Sequence, residues 1–532
     1  MPPATAPAER TAPHTTAGGA PRWRPAAPYR AAVAAVLLLL AVLLLLMVVR
    51  LPWAGDLGMH AAVLERLRAD PLHPGHPLVR ADASSPYYSP WTVLLALFAS
   101  ATGLGTFGVL RLAGIAGLVL LGTGVHTFVR TFTRAWAAVP LALLCVLLLN
   151  GVRLFAWSGF PGLVSLCLTF TYPSTLALGL AFHLWALLRK MPDGNRPLPA
   201  FLALGALLAC VLLIHQFTGA VAALGAAAVL LGARPWPGRA VWAGTGAAAA
   251  LCAALLACWP YYSFFALLRT GGLDDIHRPL YDHLAAKFCL AGLGVVALAA
   301  RLRRDRRDPL ALFFALGLLA FAAGGLTGHQ AWGRVLPAVL LPAQLALAIE
   351  AALGAEALFE GTGVPSAAAP DRRLRAVLLP LTTAALLAGA WTQAGALSYV
   401  LRPAALPPSL RTVHTVAPWP PLRWAARAMS KGDTVMTDNY YALRMLPAYG
   451  PYTVAPAYPD VFLRDARERR NATRRYFAPA ASRAERLGIL RKYGVRWVLQ
   501  RTGGPGLPPD DPALRRTATG PGGFVLSEVA VR

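Results

Sequence analysis

The chain has 532 residues, 56% of them hydrophobic and only 14% charged, with a formal net charge of +26. Soluble domains carry roughly 25% charged residues, so this composition excludes an ordinary cytosolic enzyme. The basic excess sits in short clusters between apolar runs (Arg130 and Arg134, Arg189 and Lys190, Arg234 and Arg239, Arg301 to Arg307, Arg372 to Arg375) and forms no interleaved basic-aromatic platform. It therefore reads as membrane-flanking charge, not as a nucleic-acid surface.

Residues 1–28, rich in Pro, Ala and Thr, form an expected disordered cytoplasmic tail. Residues 29–399 form the expected transmembrane domain. Its first apolar run, 31–49, carries no charge. Roughly 20 such residues cross a hydrocarbon core of about 30 Å, and in lipid the backbone must bond to itself, so the runs are helices. A polar loop, 50–90, follows and lies outside if the N-terminus is inside. Further spans are expected at about 107–129, 136–151, 162–188, 198–215, 217–232, 240–259, 284–300, 309–326, 335–353 and 376–396. These eleven spans put each basic cluster on the cytoplasmic side. The short run 91–103 reads as a juxtamembrane or re-entrant helix, and Tyr172-Pro173 predicts a kink because Pro lacks a backbone donor. All six cysteines fall in spans without paired spacing, so they read as packing residues.

Beyond residue 400 the chain turns polar and rich in Arg and Pro. Strands are expected at 434–437, 452–454, 495–500 and 523–530, with helices over 439–446, 460–476 and 482–493. The alternation predicts a small α/β domain, outside the membrane because the number of spans is odd.

Directly after the first span comes Gly55-Asp56-Leu57-Gly58-Met59-His60, opening a short amphipathic helix. Asp56 and His60 share a helical face, and Asp56 also suits an N-cap. The loop ends in Tyr87-Tyr88-Ser89-Pro90-Trp91, an aromatic entry to the membrane surface. There is no GxxxxGK[ST], G-x-S-x-G or HExxH motif. Mid-membrane carboxylates, the usual mark of ion-coupled transport, are nearly absent, with Glu350 near a span end.

An Asp just after the first span, a juxtamembrane helix and a Tyr/Pro-rich re-entry together resemble the integral-membrane glycosyltransferases of the GT-C superfamily. The chain also resembles a group of actinobacterial membrane proteins of that architecture. They share the G-D-x-x-x-H loop and a tail of the type Thr437-Asp438, Leu446-Pro447-Ala448-Tyr449 and Leu490-Arg491-Lys492-Tyr493-Gly494. The resemblance implies transfer of a sugar from a polyprenyl-phosphate donor to an extracytoplasmic glycan or lipid acceptor, with no cofactor. Asp56 would take the acceptor proton. Arg334, in the loop Thr327-Gly328-His329-Gln330-Ala331-Trp332-Gly333-Arg334, would meet the phosphate, unless it snorkels to headgroups. His60, Tyr87, Tyr88, His215, Gln216, Asp274, Asp275 and His329 are the remaining expected substrate contacts. Asp274 and Asp275 with His277 also have metal-ligating chemistry, but a solvated turn suits them as well, and no metal is expected. Many such transferases carry two acids in the first loop. Here Asp56 stands alone, with Glu65 and Asp70 farther along. A flippase for a lipid-linked precursor, or an envelope-assembly scaffold in which Asp56 is only a cap, are the alternative readings.

Overall fold

The computed structural model describes residues 26–191, 197–267, 274–359, 369–413 and 415–530. Of the expected disordered tail, 1–28, residues 1–25 lie outside them, and 26–28 instead begin the first helix. The first helix, α1 (Ala26–Arg50), is uniformly apolar between Arg30 near its start and its closing Arg50, as a segment surrounded by lipid must be. Among the described residues six helices are long and apolar enough to cross a membrane: Ala27–Arg50, Thr106–Val129, Arg239–Ala257, Pro309–Thr327, Gln330–Phe359 and Asp371–Tyr399. A bent pair, Leu163–Thr169 with Pro173–Leu188, makes a seventh if counted as one span.

The expected count of eleven is therefore not reproduced. Ala138–Leu148, Leu198–Ile214 and Gln216–Leu231 are apolar helices of 17 residues or fewer, as is Pro90–Thr102. The region 284–300 divides into a short helix, Leu284–Phe288, and Leu293–Arg304, whose last turn is basic. The expected kink at Tyr172-Pro173 is a complete break, with the two helices meeting at 119°. Tyr172 takes the extended conformation (φ −78, ψ 150) that a following Pro favours, and Pro173 then opens the next helix where no donor is needed.

The C-terminal segment forms a five-stranded mixed sheet. Its strands are β1 (Thr434–Met436), β2 (Tyr452–Thr453), β3 (Val495–Arg501), β4 (Leu514–Gly520) and β5 (Phe524–Val529), in the order β2-β1-β3-β5-β4. β1 runs parallel to β2 and β3, whereas β5 is antiparallel to both β3 and β4. Side chains alternate across the sheet. Val435, Trp497, Leu499 and Leu526 pack on one face, and Met436, Val498, Leu490 and Tyr476 on the other.

The first loop is built into this sheet. Val79 bridges Thr453 in parallel, with the Thr453 N–H donating to Leu78 O at 2.9 Å. Helix α2 (Leu57–Ala69) lies against the C-terminal segment so closely that a Cβ on Gly58 would sit 2.1 Å from Arg444 O. Arg66 on α2 is buried and donates to Gly450 O at 2.8 Å and Pro451 O at 2.7 Å, its guanidinium 3.6 Å from the Tyr452 ring centre. Carbonyl acceptors and a ring face compensate this buried cation in place of a carboxylate. Glu65 adds a second tie, accepting from Lys431 Nζ at 2.8 Å and from the Thr106 hydroxyl.

Candidate functional site

These ties fix a cavity of about 490 Å³ between the outer loops and the C-terminal segment. Its wall combines Asp56, His60 and Tyr87 from the first loop, Ser158, Tyr172 and Ser174 around the broken helix, and His215, Gln216 and Arg334. Tyr458, Asp460 and Trp419 come from the C-terminal segment.

Asp56 occupies the N-cap position of α2, but its side chain makes no capping bond. Its Oδ1 accepts the Tyr458 hydroxyl at 3.0 Å across 402 residues. The turn carrying it is fixed by Tyr172, whose hydroxyl donates to Ala54 O at 2.6 Å and accepts from Leu57 N at 3.0 Å. Gly55 between them is required twice. Its φ is +48, and an added Cβ would fall 2.8 Å from that same hydroxyl. Burial holds the Asp56 carboxyl above the usual carboxylate range, against the opposing pull of the Tyr458 hydroxyl and the Arg444 and Arg334 guanidiniums.

Arg444 organises the wall behind Tyr458. It is buried between the Tyr440 and Tyr458 rings, 3.7 and 4.2 Å from their centres, and donates to Tyr440 O and Ala457 O. His60, one helical turn after Asp56, touches the Tyr87 and Tyr172 rings edge-on. Burial pushes its imidazole down to about 3, so it is neutral at physiological pH, and its Nδ1 has no hydrogen-bond partner among the described residues. Tyr87 is pushed well above the ordinary phenol range by burial and then by the nearby Asp56.

Arg334 is 6% exposed, so it does not snorkel to the surface. Its guanidinium lies 4.7 Å from the Phe217 ring centre, and Nη2 is 3.3 Å from His215 Nε2. His215 is itself held by Thr218, Nδ1 to Oγ1 at 2.8 Å. The Arg334 Nε has no hydrogen-bond partner, and no carboxylate lies within 4.0 Å of the guanidinium among the described residues. An unpaired buried cation is costly unless an anion joins it.

Of the sequence-predicted residues, Asp56, His60, Tyr87, His215, Gln216 and Arg334 share this cavity. Tyr88 does not: it is 1% exposed, and its hydroxyl donates to Gly75 O at 2.8 Å within the loop's own core. Asp274 accepts Ala331 N at 3.1 Å, joining two loops, and Asp275 is exposed. His329 is exposed, with Nδ1 3.2 Å from Thr327 O within its own loop. Tyr172, Arg444, Tyr458 and Asp460 were missed by sequence reasoning. Tyr172 was visible only as a kink, and Tyr458-Pro459-Asp460 reads locally as a turn.

No known family model matches the chain, and no curated protein sequence matches it. Solved structures do. ArnT from Cupriavidus metallidurans in the apo state aligns with a TM-score of 0.51 at 16% identity, covering 94% of this chain and 98% of ArnT. The same protein bound to undecaprenyl phosphate gives 0.50 at 16% identity, covering 93% of this chain and 98% of ArnT. The arabinofuranosyltransferase AftD from Mycobacteria gives 0.54 at 17% identity over 93% of this chain, which spans only 40% of AftD. These neighbours are GT-C glycosyltransferases. The likeness establishes the fold: this membrane protein shares the helical architecture of these neighbours and carries a small C-terminal sheet.

Proposed function

We propose that the chain is a GT-C-type glycosyltransferase that moves a sugar from a polyprenyl-phosphate donor to an extracytoplasmic glycan or lipid acceptor. One observation carries the reading. A half-buried carboxylate, Asp56, and a buried guanidinium without a carboxylate partner, Arg334, face one cavity enclosed by both parts of the molecule. Those are the two charges the reaction requires. The acceptor hydroxyl gives its proton to Asp56 as its oxygen bonds to the anomeric carbon, and the bond from that carbon to the phosphate oxygen breaks. Charge gathers on the departing phosphate, where Arg334, with His215 beside it, stabilises it. Burial suits both roles, because it makes Asp56 a stronger base than a solvated carboxylate and strengthens Arg334 as an electrostatic partner.

The structural neighbours agree with this assignment in kind: AftD is an arabinofuranosyltransferase, and ArnT has been captured with undecaprenyl phosphate. In this reading the N-terminus is cytoplasmic, the cavity opens on the outer side, and no cofactor takes part. The test is to purify wild type and Asp56→Asn in mild detergent and analyse the bound lipids by mass spectrometry. Polyprenyl phosphate in the wild type and accumulated glycosylated lipid on the variant are expected. Bulk phospholipid alone on both would sink the assignment.

A further inference from the structure

The cavity holds a second carboxylate, and it comes from the C-terminal segment. Asp460 lines the wall, its side chain 15% exposed. It faces His76, which is 1% exposed and lies 384 residues away in the first loop, with Nε2 3.0 Å from Asp460 Oδ2. The His76 tautomer is settled by its other side. Nδ1 accepts the backbone N–H groups of Leu78 and Val79, both at 3.1 Å, so the ring proton is on Nε2 and is donated to Asp460. The other carboxylate oxygen accepts Phe462 N at 2.9 Å. A carboxylate offers about four lone-pair directions, and these two bonds occupy two of them.

We propose that Asp460 is a specificity-determining carboxylate that binds hydroxyl groups of the donor sugar, a role that rests on the transferase reading above. Three features support it. The pair His76–Asp460 fixes the carboxylate's orientation from both parts of the molecule, which a merely solvated turn does not need. The remaining lone pairs belong to a group that lines the cavity with Asp56 and Arg334. A rigid carboxylate accepts two hydroxyl donors at charge-assisted strength, the way a few fixed polar groups in a cavity select a polyol. Asp460 would thus supply, from the far end of the chain, a second acid that the first loop does not carry beside Asp56.

The experiment compares lipids bound to Asp56→Asn with those bound to Asp56→Asn/Asp460→Asn, both purified as the full chain. The readout is the ratio of glycosylated to bare polyprenyl phosphate by mass spectrometry. Loss of a charge-assisted contact to the sugar should lower that ratio about tenfold or more, while bare polyprenyl phosphate is retained. An unchanged ratio with the lipid still bound overturns the proposal and leaves Asp460 as a turn-former. If the double variant loses both lipids by misfolding, Asp460→Glu in the same background keeps the charge but displaces it by a methylene. The ratio must then fall, and an unchanged value overturns the proposal. Absence of any polyprenyl phosphate from Asp56→Asn itself overturns the transferase reading together with this one.

Discussion

Glu350 and Arg334 lie roughly 25 Å apart along one helical segment, and the protein treats them in opposite ways. Glu350, 1% exposed, is surrounded by Arg304 Nη2 at 2.5 Å, Arg375 Nε at 3.0 Å and Arg301 Nη1 at 3.5 Å, and Arg301 also reaches Asp308 at 2.7 Å. Arg334 is also buried and has two aromatic rings, a histidine and, among the described residues, no carboxylate within 4.0 Å. A buried charge that neighbouring helices fully compensate holds those helices together. One without a direct ion pair beside a cavity is compensated by what enters the cavity. The contrast distinguishes structural charge from functional charge within one chain.

The sharpest way to break it is at the reacting carboxylate. Asp56→Asn should lower glycosyl transfer by about 10²–10⁴-fold, the span of a lost general base, with the melting temperature in detergent unchanged. Equal losses of activity and folded protein would reduce Asp56 to a structural role, tying α2 to Tyr458. The paired test substitutes both buried charges. Arg334→Gln should reduce turnover about 10²–10³-fold without loss of thermal stability. Glu350→Gln, which removes the carboxylate that Arg301, Arg304 and Arg375 share, should destabilise the fold by about 3–5 kcal/mol in denaturant titration. Reversal of that pattern would dissolve the distinction. A smaller effect is expected at Gly58, where alanine must push apart α2 and the backbone of Arg444. A cost of about 1–3 kcal/mol is expected, read as faster proteolysis of the C-terminal segment. The smallest concerns pH. Asp56 must be ionised to accept a proton, so activity rises as pH climbs through its pKa, which burial holds above the ordinary value of about 4. The Tyr458 hydroxyl lowers that pKa, so Tyr458→Phe should move the acidic limb upward, by about a unit or less, in a rate–pH profile.

What sequence reasoning recovered follows the range of the underlying physics. α1, α2 and β3 announce themselves by apolarity and local pattern. Asp56 and His60 stand out because they sit a helical turn apart where α1 ends, and Arg334 because it is an isolated charge where a span begins. β4 was missed because it is an edge strand: of Leu514–Gly520 only Leu514 is buried, so its residues alternate weakly and read as a polar loop. The count of eleven spans is not confirmed where apolar helices are short, as with Ala138–Leu148, since hydropathy reports apolarity and not where a helix ends. Tyr458 and Asp460 had no local signature. Their meaning lies in partners about 400 residues distant, Asp56 and His76.

That separation also has a consequence for how the molecule is made. Arg66 emerges from the ribosome early, yet its acceptors, Gly450 O and Pro451 O, follow 384 and 385 residues later. At about 5–20 residues per second, the first loop waits on the order of 20–80 s for the chain that completes it. Throughout that interval Arg66 lacks these acceptors and Asp56 lacks Tyr458. The cavity is therefore among the last features of the protein to form, so a nascent or truncated chain that has already inserted its early helices has no assembled site with which to react.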